Sequence, residues 1–243
     1  MKTIIKLIDK KLLFNFLSSI YKRYLFYKTE KFLANYPYLS IFTKNNKQNP
    51  LIDLFHKYGT DKGELNENSH FYGFYYNEIF KNKKSEIKLI FECGIGTTDT
   101  NIHSNMGENG SPGASLRSYR DYFENAQIYG ADIDKKILFL SERISTHHVD
   151  QLDTKSIKKM WNDINLDGFD LIIDDGMHDL NANYNFFINS FSKLKKNGLY
   201  IIEDVHTAYL IDIVKKLEKF KPKIICSKIK NNIDDYLIII KKF

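Results

Sequence analysis

Two hydrophobic periodicities alternate along the second half of the chain. Phe169-Asp-Leu-Ile-Ile-Asp-Asp-Gly-Met-His178 and Gly198-Leu-Tyr-Ile-Ile-Glu-Asp-Val-His206 are apolar runs that break into acid and histidine. They are too short for helices and rich in β-branched residues, so they read as strands buried on both faces, with the polar residues at their carboxyl ends. Lys88-Leu-Ile-Phe-Glu-Cys-Gly-Ile-Gly96, Gln127-Ile-Tyr-Gly-Ala-Asp132 and the segment closing on His147-His-Val-Asp-Gln151 read as three more. Helical patterns stand between them: one starts near Ser115, one follows Asp132, residues 181–195 turn Phe186, Phe187, Phe191 and Leu194 inward, and residues 208–220 form another. The final runs, 223–227 and 236–240, are separated by a polar stretch too short for a crossover helix and must pair antiparallel. The expected fold is α/β: a doubly wound, Rossmann-like, seven-stranded sheet, mostly parallel, with a C-terminal antiparallel hairpin.

The first 50 residues follow another pattern. Ile5, Ile8, Leu12, Phe16, Ile20 and Tyr24 recur at helical spacing, with Lys6, Lys10, Lys11, Lys22 and Arg23 mostly off that stripe. This predicts a basic amphipathic helix, packed on its own domain or a second subunit, or docked through residues 1–28 on an anionic membrane. Lysine and asparagine interrupt it too often for a spanning segment, and no small-residue cleavage site follows it. The expected location is the cytoplasm, with membrane contact at the inner face. Tyr36-Pro-Tyr38 and Lys44-Asn-Asn-Lys-Gln-Asn-Pro50 read as linker, dividing the chain into an extension, 1–50, and a sheet domain, 51–243.

Composition changes little. The net charge of +6 over 243 residues sits largely in the first 48 and does not indicate nucleic acid. Cys93 and Cys226 fall in apolar runs, as buried reduced thiols do.

The chemistry gathers at the strand ends, where ligands bind an open parallel sheet. Asp174, Asp175, Glu203 and Asp204 would share one edge, and carboxylates that close repel unless a cation or raised pKa values intervene. A divalent metal is the economical answer. The first strand ends in an acid and Gly94-Ile-Gly96, but the dinucleotide fingerprint fails because Asp99 stands where its third glycine belongs. Asp132 ends the next strand, suited to ribose hydroxyls, and Asp150 and Gln151 follow the third, where an adenine ring would lie. Glycine turn, ribose acid and polar pair come in the order of an S-adenosylmethionine site. The polar loop Tyr58-Gly-Thr-Asp-Lys-Gly63 is a candidate cover for that edge.

Tyr58-Gly-Thr-Asp-Lys62, Glu92-Cys-Gly-Ile-Gly96, Gly113-Ala-Ser-Leu-Arg117, Gly130-Ala-Asp-Ile-Asp134, Ile173-Asp-Asp-Gly-Met-His178 and Ile202-Glu-Asp-Val-His-Thr-Ala-Tyr209 together resemble the macrocin and mycinamicin sugar O-methyltransferases, relatives of which occur in bacterial surface-glycan clusters. The resemblance implies a class I methyltransferase fold over residues 51–209. It implies Mg²⁺ on Asp175, Glu203 and Asp204, His178 as general base, and S-adenosylmethionine held around Gly94, Gly96, Asp132, Asp150 and Gln151. Thr60, Glu92, Ser115 and Asp174 are further expected at the cofactor, and His206 either assists proton removal, hydrogen-bonds an acceptor hydroxyl or supports its neighbours. His178 also falls just before a helix, where the dipole disfavours imidazolium and keeps the base form available. The implied reaction is methyl transfer to a hydroxyl of a sugar or glycan precursor in capsule or surface-polysaccharide synthesis. A small phosphorylated metabolite is the alternative acceptor, and a non-catalytic membrane-associated scaffold the alternative class. The segment after Tyr209 is shorter than in the macrolide enzymes, so a macrolide acceptor is not carried over. A nicotinamide enzyme lacks its third glycine, and a nucleic-acid methyltransferase would want a basic edge where this one is acidic.

Overall fold

A computed structural model describes residues 10–34, 38–39, 49–63, 70–226 and 236–243. Helices α1 (Lys10–Leu33), α2 (Pro50–Tyr58) and α3 (Tyr72–Phe80) precede the first long strand, with a two-residue strand β1 (Tyr38–Leu39) after α1. The rest alternates: β2 (Leu89–Cys93), α4 (Ala114–Tyr122), β3 (Gln127–Asp132), β4 (Leu140–Ser141), β5 (Ile144–His148), α5 (Thr154–Ile164), β6 (Phe169–Asp174), α6 (Leu180–Ser190), β7 (Leu194–Val205), α7 (Leu210–Leu217), β8 (Lys223–Cys226) and β9 (Tyr236–Lys241).

One sheet takes all the strands in the order β1-β8-β9-β7-β6-β2-β3-β5-β4. The central strands run parallel and β9 enters antiparallel between β7 and β8, as expected for the terminal hairpin. The described sheet has nine strands rather than seven, because two-residue strands are added at both edges: β1 parallel to β8 and β4 antiparallel to β5. Every residue of β6 is buried, as a strand covered on both faces requires. On one face Trp161, Phe186, Phe187, Leu210 and Val214 pack over Phe91 and Tyr200; on the other Phe55, Tyr76, Tyr119 and Phe123 pack over Ile90 and Ile173.

Helix boundaries follow local chemistry. Pro50 opens α2, Asn49 caps it by accepting from the amides of Leu51 and Ile52, and Gly59 closes it in the left-handed region at φ 79°. Asp153 and Asp179 cap α5 and α6 in the same way. The expected helix after Asp132 is absent: Asp134 accepts from the Lys136 amide to shape a single 3₁₀ turn, and Thr146 ties β5 back to Phe139. Leu194 begins β7 rather than ending α6, which gives way to a 3₁₀ turn at Phe191.

Along the N-terminal helix the described side chains are mostly open to solvent. Ile20 and Tyr24 of the predicted stripe are exposed, and so are Leu17, Tyr21, Phe26 and Tyr27. Among its described side chains the buried ones are Thr29 and Leu33, near the C-terminal end, where Leu33 joins the core beside α7. Ile5 and Ile8 lie outside the described residues, as does most of the predicted linker. Cys93 is a buried free thiol, and the side chain of Cys226 lies outside the described residues.

Candidate active site

The carboxyl ends of β2, β3, β5, β6 and β7 border a cavity of about 540 Å³. Its lining includes Thr60, Gly94, Gly96, Ser115, Asp132, Asp150, Gln151, Asp175, His178 and Asp204. The polar loop after α2 contributes Thr60, Asp61 and Lys62, so the expected cover does meet the sheet edge. Glu92, Asp174, Glu203 and His206, also expected in the site, are not in that lining.

The glycine turn is dictated by close approach. Gly94 and Gly96 both have φ 84°; a Cβ on Gly94 would stand 2.0 Å from the Asp175 carbonyl oxygen and one on Gly96 2.1 Å from Met106 Sδ. Asp132 accepts from the amides of Ile95 (2.9 Å) and Asp134 (2.9 Å), one on each carboxylate oxygen. Burial raises its pKa, with those backbone donors opposing the shift. Each oxygen keeps a further lone pair for a ligand hydroxyl.

Gln151 is less free than its place after the third strand suggests. Its Nε2 donates to Asp174 (2.6 Å) and its Oε1 accepts from the Met177 amide (2.7 Å). Asp174 is fully buried behind it, accepts a second bond from Asn183 (3.0 Å), and is pushed by burial to about 6. Asp174 therefore fixes Gln151 and, through it, the 175–178 turn. Glu92 is likewise buried: Ser115 Oγ donates to one oxygen, while the other, Oε1, has no hydrogen-bond partner among the described residues. Burial drives its pKa up to about 7.

β7 carries a register shift between Ile202 and Val205, and the adjacent acids within it point apart. Asp204, at φ 51°, turns toward the cavity. There one oxygen accepts from Tyr72 Oη, and His70 Nδ1 lies 3.5 Å away. Glu203 is wholly buried and accepts instead from Tyr76 Oη and from the ammonium of Lys62. The described cluster able to hold a metal is thus Asp175, His178 and Asp204, with one ligand atom from each all within 4.8 Å. Glu203, expected in that set, is held apart on Lys62.

His178 has φ 54° and immediately precedes Asp179, the N-cap of α6. Its Nε2 is 3.7 Å from Asp204 Oδ2 and 4.0 Å from Asp175 Oδ1, beyond hydrogen-bonding reach of either. His206 does not line the cavity, and its Nδ1 accepts the Ala208 amide at 2.9 Å.

Lys62 is a site residue that sequence reasoning missed. It is 3% exposed, and its Nζ donates to Asp175 Oδ2 (2.5 Å) and to Glu203, with Glu92 Oε1 at 3.6 Å. Burial works to lower its pKa, but the charges of Asp175 and Glu203 outweigh it and hold the amine well above its ordinary range. Part of the carboxylate repulsion is therefore relieved by an ammonium from the chain itself. The signal was the lone lysine in Gly-Thr-Asp-Lys-Gly, where turn formers point to the surface and nothing points to burial.

No family model matches the chain. Among curated proteins it is 33% identical over 161 residues to the mycinamicin VI 2''-O-methyltransferase of Micromonospora griseorubida, covering 65% of this chain and 37% of that protein. It is 30% identical over 159 residues to the 8-demethyl-8-alpha-L-rhamnosyl tetracenomycin-C 2'-O-methyltransferase of Streptomyces olivaceus, covering 65% and 38%. The MycE methyltransferase of the mycinamycin pathway, solved in complex with Mg and SAH, aligns at 29% identity and a TM-score of 0.54, over 69% of this chain and 40% of that one. The resemblance read from the motifs is thus met by curated relatives and by fold. The chain spans less than two-fifths of the length of these curated relatives.

Proposed function

We propose that this chain transfers a methyl group from S-adenosylmethionine to a hydroxyl of a sugar or glycan precursor, with Mg²⁺ at the carboxylate cluster, in bacterial capsule or surface-polysaccharide synthesis. The observation that carries this reading is that Asp175, His178 and Asp204 converge in the same cavity that the glycine turn and Asp132 line. The cavity suits a cofactor of nucleoside size. Gly94 and Gly96 present bare backbone to it, and Asp132 offers acceptor lone pairs at a strand end. The metal donors fit as well, because a hard divalent ion takes carboxylate oxygens and fills its remaining positions with water or ligand hydroxyls.

In this reading Asp132 accepts from the ribose hydroxyls, and Gly94 and Gly96 admit the rest of the cofactor. Asp175 and Asp204 hold the ion, which when bound acts as a Lewis acid that lowers the pKa of an acceptor hydroxyl. His178 Nε2, free of any partner within hydrogen-bonding distance among the described carboxylates, takes the proton of that hydroxyl as the methyl is transferred. Tyr72 holds Asp204 through one of its oxygens and leaves the other turned to His178.

The test is mass-spectrometric detection of methyl transfer to a panel of nucleotide-sugars and activated glycan precursors, with and without Mg²⁺, beside calorimetry with S-adenosylmethionine. Binding of the cofactor with Mg²⁺-dependent methylation of at least one glycosyl acceptor is expected. Failure to bind S-adenosylmethionine overturns the assignment.

The N-terminal helix supports a location for this chemistry. No described helix is long and apolar enough to cross a membrane. Yet α1 presents Leu17, Tyr21, Tyr24, Phe26 and Tyr27 to solvent among Lys22, Arg23, Lys28 and Lys31, a combination that suits the headgroup region of an anionic bilayer. Full-length protein is expected to sediment with anionic vesicles and not with neutral ones, more weakly as salt rises. Concentration-dependent self-association with no vesicle binding would assign the face to a second copy instead.

A further inference from the structure

Three carboxylate oxygens from three neighbouring strand ends surround one point in the protein: Asp175 Oδ2, a Glu203 oxygen and Glu92 Oε1. Glu92 and Glu203 are completely buried. Such a group of oxygens is a cation site by its chemistry, and in this structure the cation at its centre is the ammonium of Lys62. The fit is incomplete. Glu92 Oε1 stays 3.6 Å from Nζ and has no hydrogen-bond partner among the described residues, although it is fully buried and aimed at that point. One positive charge faces three acids, and one acceptor is left unused.

Asp175 also belongs to the neighbouring cluster with His178 and Asp204, so any ion gripping Asp175 there lies close to the ammonium. Two cations sharing one carboxylate stand within roughly 5 to 6 Å of each other, and in a buried site their repulsion is poorly screened. Lysine, unlike arginine, is a point charge on a flexible stem and can withdraw. It has somewhere to go: Lys62 lines the cavity beside Asp61, and its Nζ already lies 5.9 Å above the Tyr72 ring.

Resting on the metal reading above, we propose that Lys62 is a built-in counter-ion that exchanges with the divalent cation. Its ammonium fills the oxygen cage of Glu92, Asp175 and Glu203 in the metal-free protein, and ion binding at Asp175 expels it into the cavity. The ion then reaches Glu203, which the lysine otherwise occupies. Because Lys62 sits in the loop with Thr60 and Asp61, the exchange also remodels the wall of the cofactor cavity.

Two measurements test this, neither relying on turnover. Mn²⁺ binding to the full chain, followed by electron paramagnetic resonance, is expected to tighten at least tenfold in Lys62→Met, because the competing charge is gone. Unchanged or weaker binding overturns the exchange and makes Lys62 a residue that positions Asp175 for the ion. Should Lys62→Met fail to fold, the wild-type protein carrying ¹⁵N-labelled lysine decides. A solvent-protected ammonium resonance, assigned by its absence in Lys62→Arg, is expected to vanish on saturation with Mg²⁺. Its persistence at saturation overturns the proposal. Absence of Mn²⁺ binding by wild type and variant alike would instead overturn the metal reading, and the exchange with it.

Discussion

Asp175→Asn is expected to abolish methyl transfer to the limit of detection, at least about a hundredfold below wild type, and EDTA is expected to do the same to the unaltered protein. Asparagine keeps the shape of the side chain but removes the charge that links the Asp175, His178 and Asp204 cluster to Lys62. Only the carboxylate carries the negative charge that holds a hard divalent ion there. The fold should survive, because Asp175 is partly exposed, whereas Asp174 beside it is fully buried on Gln151 and Asn183. Thermal unfolding and Mn²⁺ binding, measured together, separate loss of the ion from loss of the protein. Full activity in EDTA would remove the metal from the mechanism.

The second large effect is expected at His178. His178→Ala should lower kcat by roughly 10² to 10⁴, the usual contribution of a general base. Affinity for Mn²⁺ and S-adenosylmethionine should change little. The distinction matters because His178 stands among the atoms that could ligate the ion, yet a hard cation prefers the carboxylate oxygens of Asp175 and Asp204 to an imidazole nitrogen. The deficit should shrink as pH rises, since hydroxide or a more ionised acceptor then replaces the imidazole. Near-normal kcat at neutral pH overturns the role of base. A tenfold or greater loss of Mn²⁺ affinity makes His178 a ligand instead. Were the role of base overturned, suspicion would move to His206, whose Nδ1 accepts the Ala208 amide and which does not line the cavity.

Several parts of this protein were legible in the amino-acid order because local chemistry decides them. The β-branched run at 169–174 can be satisfied only by burial on both faces, and β6 is buried throughout. The short polar stretch before residue 236 leaves no length for a crossover, and β8 and β9 pair antiparallel. The apolar spacing over residues 181–195 and 208–220 marks two helices, and α6 and α7 lie there. Gly94 and Gly96 announce a turn that no side chain could enter, and the acids at the strand ends announce the edge where the cavity lies.

Tertiary structure decided how the acids at that edge are shared out. Glu203 and Asp204 are neighbours in sequence, and alternation sends them to opposite sides; which one meets the cavity is set by how β7 lies in the assembled sheet, where Asp204 lines the cavity and Glu203 is buried. Asp174 and Asp175 look equivalent in the chain, yet Asp174 is buried on Asn183 and on Gln151, 23 positions away, while Asp175 lines the cavity. Lys62 is 113 positions from Asp175 and 141 from Glu203, in a stretch of turn formers that gives no sign of burial. The exposure of α1 was equally out of reach, since a hydrophobic stripe states that a face needs a partner without saying whether the chain itself supplies one. Periodicity and capping are properties of a few adjacent residues, whereas charge compensation in a buried site depends on which distant loop brings its side chain there, and that is settled only when the sheet is assembled.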